Sequence, residues 1–176
     1  MKGWEGRLAD NLVFREETGS TNDDLRALLR KGEAGEGGVV LAERQTAGRG
    51  RKGAQWHCEP GKGLAFSVCL KPRWSKEHWS WVSLAAGLAV AEAVETLGLS
   101  PAIKWPNDVL LGGRKFCGIL TEADQSDVIV GIGLNVGGDE GDFPAGVAAT
   151  TLESALAAPV CAPPSAWPPR VCPPPA

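Results

Sequence analysis

Polar and apolar residues alternate most cleanly over residues 63–70. Leu64, Phe66, Val68 and Leu70 point one way and Ala65, Ser67 and Cys69 the other, the pattern of a strand with one face buried. Residues 128–136 are nearly all apolar and predict a buried strand, with Gly131 and Gly133 marking places where something comes close to the backbone. Shorter strands are predicted over 8–17 and 38–43. Residues 109–111 and 114–120 flank Gly112-Gly113 and predict a hairpin in which Lys115, just past the turn, faces away from Phe116. Residues 103–108 read as a strand end punctuated by Pro106, Asn107 and Asp108.

Two stretches carry helical signals. Leu25, Leu28 and Leu29 form an apolar stripe, with Ser20 or Thr21 as N-cap, Asp23 and Asp24 in the first turn, Arg30 and Lys31 in the last, and Gly32 as the stop. The second helix, Ala-rich, spans about 79–97 and ends at Gly98, with Trp74, Trp79 and Trp81 near its start as packing residues. From 159 onward the pattern breaks. Eight of the last eighteen residues are proline, which lack the N–H donors of a packed element, so an extended or disordered tail is expected.

Composition narrows this reading. A chain of 176 residues with 43% hydrophobic content has room for one domain with a true core. Its net charge of −3 gives DNA or RNA no global electrostatic support. No apolar run is long enough to span a membrane, and the first seven residues have no signal-peptide core. Five cysteines without paired spacing fit a reducing compartment, so a cytoplasmic location is expected. A zinc site built on His57 and Cys58 is weaker than the reading of these thiols as packing groups.

Against that mildly acidic background, residues 43–56 stand out. Gly48, Gly50 and Gly53 are interleaved with Arg49, Arg51 and Lys52. Glycine lets the backbone approach a ligand, free N–H groups form an anion nest, and arginine's planar fork fits phosphate or carboxylate oxygens. The same glycines spell G-x-G-x-x-G, but no helix start follows at Trp56-His57-Cys58, so a nicotinamide dinucleotide site is not expected. The plain alternative is a solvated basic hairpin tip. Likewise Ser20-Thr21-Asn22 reads locally as an N-cap, although a helix N-terminus also suits an anion.

Five separated segments then agree. Ser20-Thr21-Asn22, Gln45-Thr46-Ala47-Gly48-Arg49-Gly50-Arg51, Lys104-Trp105-Pro106-Asn107-Asp108, Lys115 followed by Gly118-Ile119-Leu120 and Glu122, and Gly131-Ile132-Gly133-Leu134-Asn135 occur in this order. Together, over about 17–152, they resemble biotin protein ligase. The resemblance implies an α+β fold, a mixed β-sheet backed by helices, the catalytic architecture shared with class II aminoacyl-tRNA synthetases. It implies that biotin and ATP, with Mg2+ as counter-ion, give biotinyl-5′-AMP. The biotinyl group then passes to a lysine of a biotin carboxyl carrier domain.

By the same resemblance, Ser20, Thr21, Asn22, Gln45, Arg49, Gly50, Arg51 and Lys115 are biotin-binding positions. Arg49, Arg51, Asn107, Lys115 and Asn135 are nucleotide-binding, and Lys115, Arg51 and Asp108 are catalytic. No resident protein-bound metal is implied. The chemistry suits these residues: a carboxylate attacking the α-phosphate gathers negative charge that cations must offset, and a glycine-rich flap would shield the reactive anhydride from water.

The sequence also departs from the family. Ala54 stands where members usually carry another arginine. Fewer than twenty residues precede Ser20, too few for a winged helix-turn-helix, so DNA is not an expected partner. Residues 1–157 are taken as the catalytic domain and 158–176 as a tail, with the family's SH3-like C-terminal domain missing. A homodimer through a sheet edge is left open. Two alternatives remain: a lipoate or octanoyl ligase relative of the same fold, and a non-catalytic remnant that holds biotin or its adenylate.

Overall fold

The computed structural model describes residues 11–144, 146–157, 160–161 and 170–171. Seven strands form one sheet: β1 (Leu12–Thr18), β2 (Val39–Gln45), β3 (Gly63–Leu70), β4 (Pro101–Lys104), β5 (Asp108–Leu111), β6 (Arg114–Asp124) and β7 (Asp127–Asn135), in the order β1-β2-β3-β7-β6-β5-β4. β1 runs parallel to β2 and every other neighbour pair is antiparallel, so the sheet is mixed as expected. The β5–β6 hairpin turns at Gly112-Gly113, whose φ angles of 55° and 78° are open to glycine without strain.

One helix covers each face. α1 (Thr21–Lys31) lies on the first, where Leu25, Val40, Cys69 and Ile129 are fully buried. Gly32 ends it at φ 72°, its N–H donating to Leu29 and Leu28 carbonyls. α2 (Ser80–Glu95) lies on the second face, over a larger core that includes Val109, Phe116, Ile119, Val128, Val130 and Leu134. Each such apolar side chain contributes about 1.5–3 kcal/mol by leaving water.

The observed elements correct several expectations. β3 has the expected bounds, but both its faces are covered. Its small-residue face is the deeper one, with Ala65, Ser67 and Cys69 at 1%, 0% and 0% exposure. A helix on each side removes the solvent face that simple alternation predicts. α2 is shorter than 79–97, being preceded by a 3-10 turn at Lys76–His78 and ending before Gly98. Of its three nearby tryptophans only Trp79 packs, while Trp74 and Trp81 are more than half exposed.

A short helix, α3 (Leu152–Leu156), is capped by Thr151, whose Oγ1 accepts from the Ser154 N–H. Val160–Cys161 pairs with Arg170–Val171 in a two-residue antiparallel ladder. The remaining expectations for 158–176, and the part of the first predicted strand before residue 11, lie outside the described residues.

Candidate active site

β7 seats the site. On the α1 side its alternate positions are Ile129, Gly131 and Gly133, paired across to Cys69, Ser67 and Ala65. A Cβ at Gly131 would overlap the Asn22 side chain, and one at Gly133 would overlap the Trp56 indole. The two glycines therefore give floor space to one group from α1 and one from the flap, as their spacing suggested.

The polar wall grows from the start of α1. Ser20 occupies the N-cap position yet makes no side-chain cap. The residue lines the cavity and is only 5% exposed. Thr21 N–H donates to Gln45 Oε1 at 2.8 Å. Asn22 Nδ2 donates to Glu122 Oε2 at 2.7 Å, and Asn22 Oδ1 accepts from Ser67 Oγ at 2.5 Å. Thr21, Asn22 and Ser67 are each at most 3% exposed.

The hairpin wall carries Lys115. Its placement depends on a β-bulge: Val109 pairs with Cys117 but Leu110 pairs with Lys115, so Phe116 is the extra residue. Phe116 and Cys117 consequently both enter the α2 core, while Lys115 and Gly118 both line the cavity. Without the bulge, residues three apart on a strand would face opposite ways. Gly118 leaves room for the lysine stem, since a Cβ there would meet Lys115 Cε and Nζ at 3.1 Å. Lys115 Nζ lies 2.7 Å from Asp108 Oδ1 and 5.6 Å from the Trp56 ring centroid. It is half-buried and paired, not the solvated charge that such a turn position usually gives.

The Lys115 backbone is clamped from outside the hairpin: its N–H donates to Ala148 O and its carbonyl accepts from Thr150 N–H, both at 2.9 Å. Asn135 Nδ2 donates to Thr150 O at 3.2 Å. Asn135 is 9% exposed and is not part of the cavity wall. Its amide nitrogen is used on the backbone that holds Lys115.

The glycine-basic segment is itself a tight hairpin. Trp56 N–H donates to Gly48 O, Gly50 N–H to Ala54 O, and Arg49 bridges Gln55. Several N–H groups expected to be free for an anion are therefore internally satisfied. At the tip, Lys52 and Gly53 take φ of 56° and 78°, and Lys52 is exposed. Arg51 Nη1 donates to Asn107 Oδ1 at 3.3 Å, while Asn107 Nδ2 donates to Ile119 O at 3.0 Å.

Arg49 is already paired within the protein. Its guanidinium pairs with both oxygens of Asp23 and reaches Glu122 Oε2 at 3.4 Å. Arg26 joins the same carboxylates, at 2.7 Å from Asp23 and 3.0 Å from Glu122. The Arg49 hydrogen bond holds the Asp23 carboxyl below its ordinary value, and Asp23 in turn raises Arg49. Burial pushes Glu122 up, but Asn22, Arg26 and Arg49 together outweigh it and leave the carboxyl below its ordinary range. Arg49 is thus a strut between flap, helix and β6 as well as a residue of the cavity wall.

All these groups surround one open cavity of about 230 Å3. Ser20, Thr21, Asn22, Gln45, Arg49, Gly50, Arg51, Asn107, Asp108 and Lys115 all line it, so every expected site residue except Asn135 comes together. Ser67, Glu122, Gly118 and Trp56 complete the arrangement but were not among the expected site residues. A polar residue midway along the small face of β3 was the available signal for Ser67, and for Glu122 its place at the end of the Lys115 motif. Among the described residues, no group of three His, Cys, Asp or Glu could hold a metal ion.

Comparison with known proteins gives a consistent picture. The model of the biotin/lipoate A/B protein ligase family matches residues 15–139. The biotin--[acetyl-CoA-carboxylase] ligase of Mycobacterium tuberculosis is 46% identical over 125 residues, 68% of this chain and 47% of that protein. The biotin protein ligase from Aquifex aeolicus, solved in complex with biotin and ATP, superposes with a TM-score of 0.69 at 37% identity, covering 82% of this chain and 60% of that one. The Leishmania major biotin protein ligase in complex with biotinyl-5-AMP also gives 0.69, at 32% identity, covering 84% of this chain and 65% of that one. The chain spans about half the length of the curated relatives it matches.

Proposed function

Because the chain belongs to the biotin/lipoate A/B protein ligase family, we propose that its cavity binds biotin and ATP, forms biotinyl-5′-AMP, and transfers the biotinyl group to a lysine of a biotin carboxyl carrier domain. The single observation that carries this reading is the convergence of a neutral polar wall and the Arg51 and Lys115 cations on one cavity. The first suits a ureido ring and the second a carboxylate meeting a phosphate.

In the first step the biotin carboxylate oxygen attacks the α-phosphorus. An acyl–O–P bond forms and the bond to pyrophosphate breaks. Lys115 and Arg51 sit where they would offset the charge that spreads over the phosphoryl oxygens. Mg2+, when bound, supplies further charge neutralisation on the phosphates. Asp108, the one carboxylate among the described residues of the cavity wall, would hold such an ion through the oxygen that does not face Lys115, since Mg2+ is commonly held by one or two carboxylates plus phosphates. In the second step the acceptor amine attacks the acyl carbon and AMP leaves. The amine must shed a proton, and Asp108 is the wall's candidate to orient or accept it. Asn107 tethers Arg51 and so holds the flap over the cavity, which would keep water from the anhydride. Asn135 acts through the Lys115 backbone and not on the nucleotide.

No helix among the described residues is long and apolar enough to cross a membrane. The buried, free thiols of Cys58, Cys69 and Cys117 favour a reducing compartment such as the cytoplasm as the place of action. The test compares biotin with lipoate: thermal stabilisation of the chain by biotin plus ATP, with release of pyrophosphate, is expected. Stabilisation by lipoate alone would sink the substrate assignment. Pyrophosphate release without labelling of a carrier domain would favour a protein that only activates or holds biotin.

A further inference from the structure

Four hydrogen bonds link the polar wall into a chain, and their protons can run only one way. Ser67 Oγ lies 2.5 Å from Asn22 Oδ1 and 2.7 Å from Thr21 Oγ1, but its hydroxyl has one proton to give. If that proton went to Thr21, two bare oxygens would face each other at 2.5 Å. Ser67 therefore donates to Asn22, and Thr21 Oγ1 gives its one proton to Ser67 at 2.7 Å in preference to Gln45 Oε1 at 3.2 Å. The far end fixes Asn22: its Nδ2 meets Glu122 Oε2 at 2.7 Å, and an ionised carboxylate only accepts. Arg26 Nη2 at 3.0 Å and Arg49 Nη2 at 3.4 Å keep that carboxylate charged. At the near end, Thr21 N–H occupies Gln45 Oε1 at 2.8 Å. Gln45 Nε2 is left without a protein partner among the described residues, at the cavity wall.

We propose that Ser67 and Glu122 are positioning residues that fix the direction of this chain, so that the wall offers an acceptor at Thr21 beside a donor at Gln45 and thereby selects a cyclic urea. The inference rests on the biotin reading and deepens it. A urea presents N–H groups flanking a carbonyl and matches both. A dithiolane offers neither and would leave the buried wall unpaired, the costly side of the hydrogen-bond asymmetry. Ser67 is fully buried beneath Asn22 and acts only through Thr21 and Asn22. Glu122 is anchored on β6, 100 residues from Asn22 in sequence.

The experiment is calorimetric biotin binding to the full chain, with ATP KM measured alongside, for wild type, Ser67→Ala, Thr21→Val, their double variant and Glu122→Gln. Ser67→Ala should weaken biotin ~10-fold or more with ATP KM unchanged, the size expected when a buried polar group loses its partner. In the Thr21→Val background it should cost little further, because the chain is already cut. Glu122→Gln, which can pair with Asn22 in either direction, should weaken biotin several-fold and also spare ATP KM. Melting curves check that each variant is folded; should Ser67→Ala fail to fold, Glu122→Gln carries the test. Wild-type biotin affinity in Ser67→Ala or in Glu122→Gln, or full additivity of Ser67→Ala with Thr21→Val, overturns the inference alone. Failure of the wild-type chain to bind biotin overturns the substrate reading and this inference together.

Discussion

The two sides of the cavity are built on different terms. The Ser20–Asn22 side is buried and cross-linked: Thr21, Asn22 and Ser67 have almost no exposure and are hydrogen-bonded to one another, to Gln45 and to Glu122. The flap and hairpin side is open. Arg51 and Lys52 are exposed, and Arg51 is tied by one 3.3 Å hydrogen bond. Neutral donors and acceptors can be fixed in advance, because satisfied hydrogen bonds cost little when buried. Cations cannot be buried unpaired without a large desolvation penalty, so Arg51 stays wet and Lys115 is half-buried only beside Asp108, and both gain strength when the site closes. Arg49 marks the border: it lies on the flap but is spent on Asp23 and Glu122, and so belongs to the rigid side.

This contrast orders what substitutions should do. The largest effect belongs to Lys115, the half-buried cation. Lys115→Ala should slow adenylate formation on the order of 10²-fold or more, a few kcal/mol of lost charge stabilisation, in a pyrophosphate-exchange assay. An unchanged rate would remove the distinction between the two walls. On the rigid side, Gly131→Ala drives a methyl into the Asn22 seat. It should raise biotin KM about 10-fold and lower stability by about 1–3 kcal/mol while sparing ATP KM. Equal loss for both substrates would mean that Asn22 does not belong to a separate recognition wall.

Arg51→Ala should leave biotin affinity nearly intact and speed escape or hydrolysis of the adenylate several-fold, read by trapping released biotinyl-AMP. Slower or equal leakage would count against the flap. The smallest effect concerns acid. Asp23 and Glu122 have carboxyls lowered from ordinary values of 3.8 and 4.5, so their ion pairs stabilise the fold above those values, and that stability fades as pH falls through the lower folded values. Below about pH 4.5 the wild type should lose stability more steeply than Glu122→Gln, measured by denaturant midpoints. Parallel acid profiles would show that the strut contributes nothing.

The sequence carried the local parts of this design. Turn glycines at 112–113, the Leu25-Leu28-Leu29 stripe and the Gly131/Gly133 spacing all report backbone geometry written into neighbouring residues. What it did not carry is long-range pairing. That Arg49 would meet Asp23 and Glu122 depends on partners 26 and 73 positions away. The bulge at Phe116 is likewise invisible to strict alternation, yet it decides which face Lys115 occupies. The link from Asn135 to Lys115 is hidden for the same reason, because the carbonyls that accept from its amide nitrogen come from residues 115 and 150. Ser67 looked like an ordinary small residue until Asn22 was seen above it.

The central claim is that both walls close on one reaction. Its most direct measurement is to incubate the chain with labelled biotin and ATP, remove free ligand rapidly, and count acid-labile biotin kept by the protein. About one equivalent should be retained by the wild type, with far less by Lys115→Ala and none with ATP omitted. No retained adenylate from the folded wild type, or retention of lipoate in place of biotin, would contradict the account.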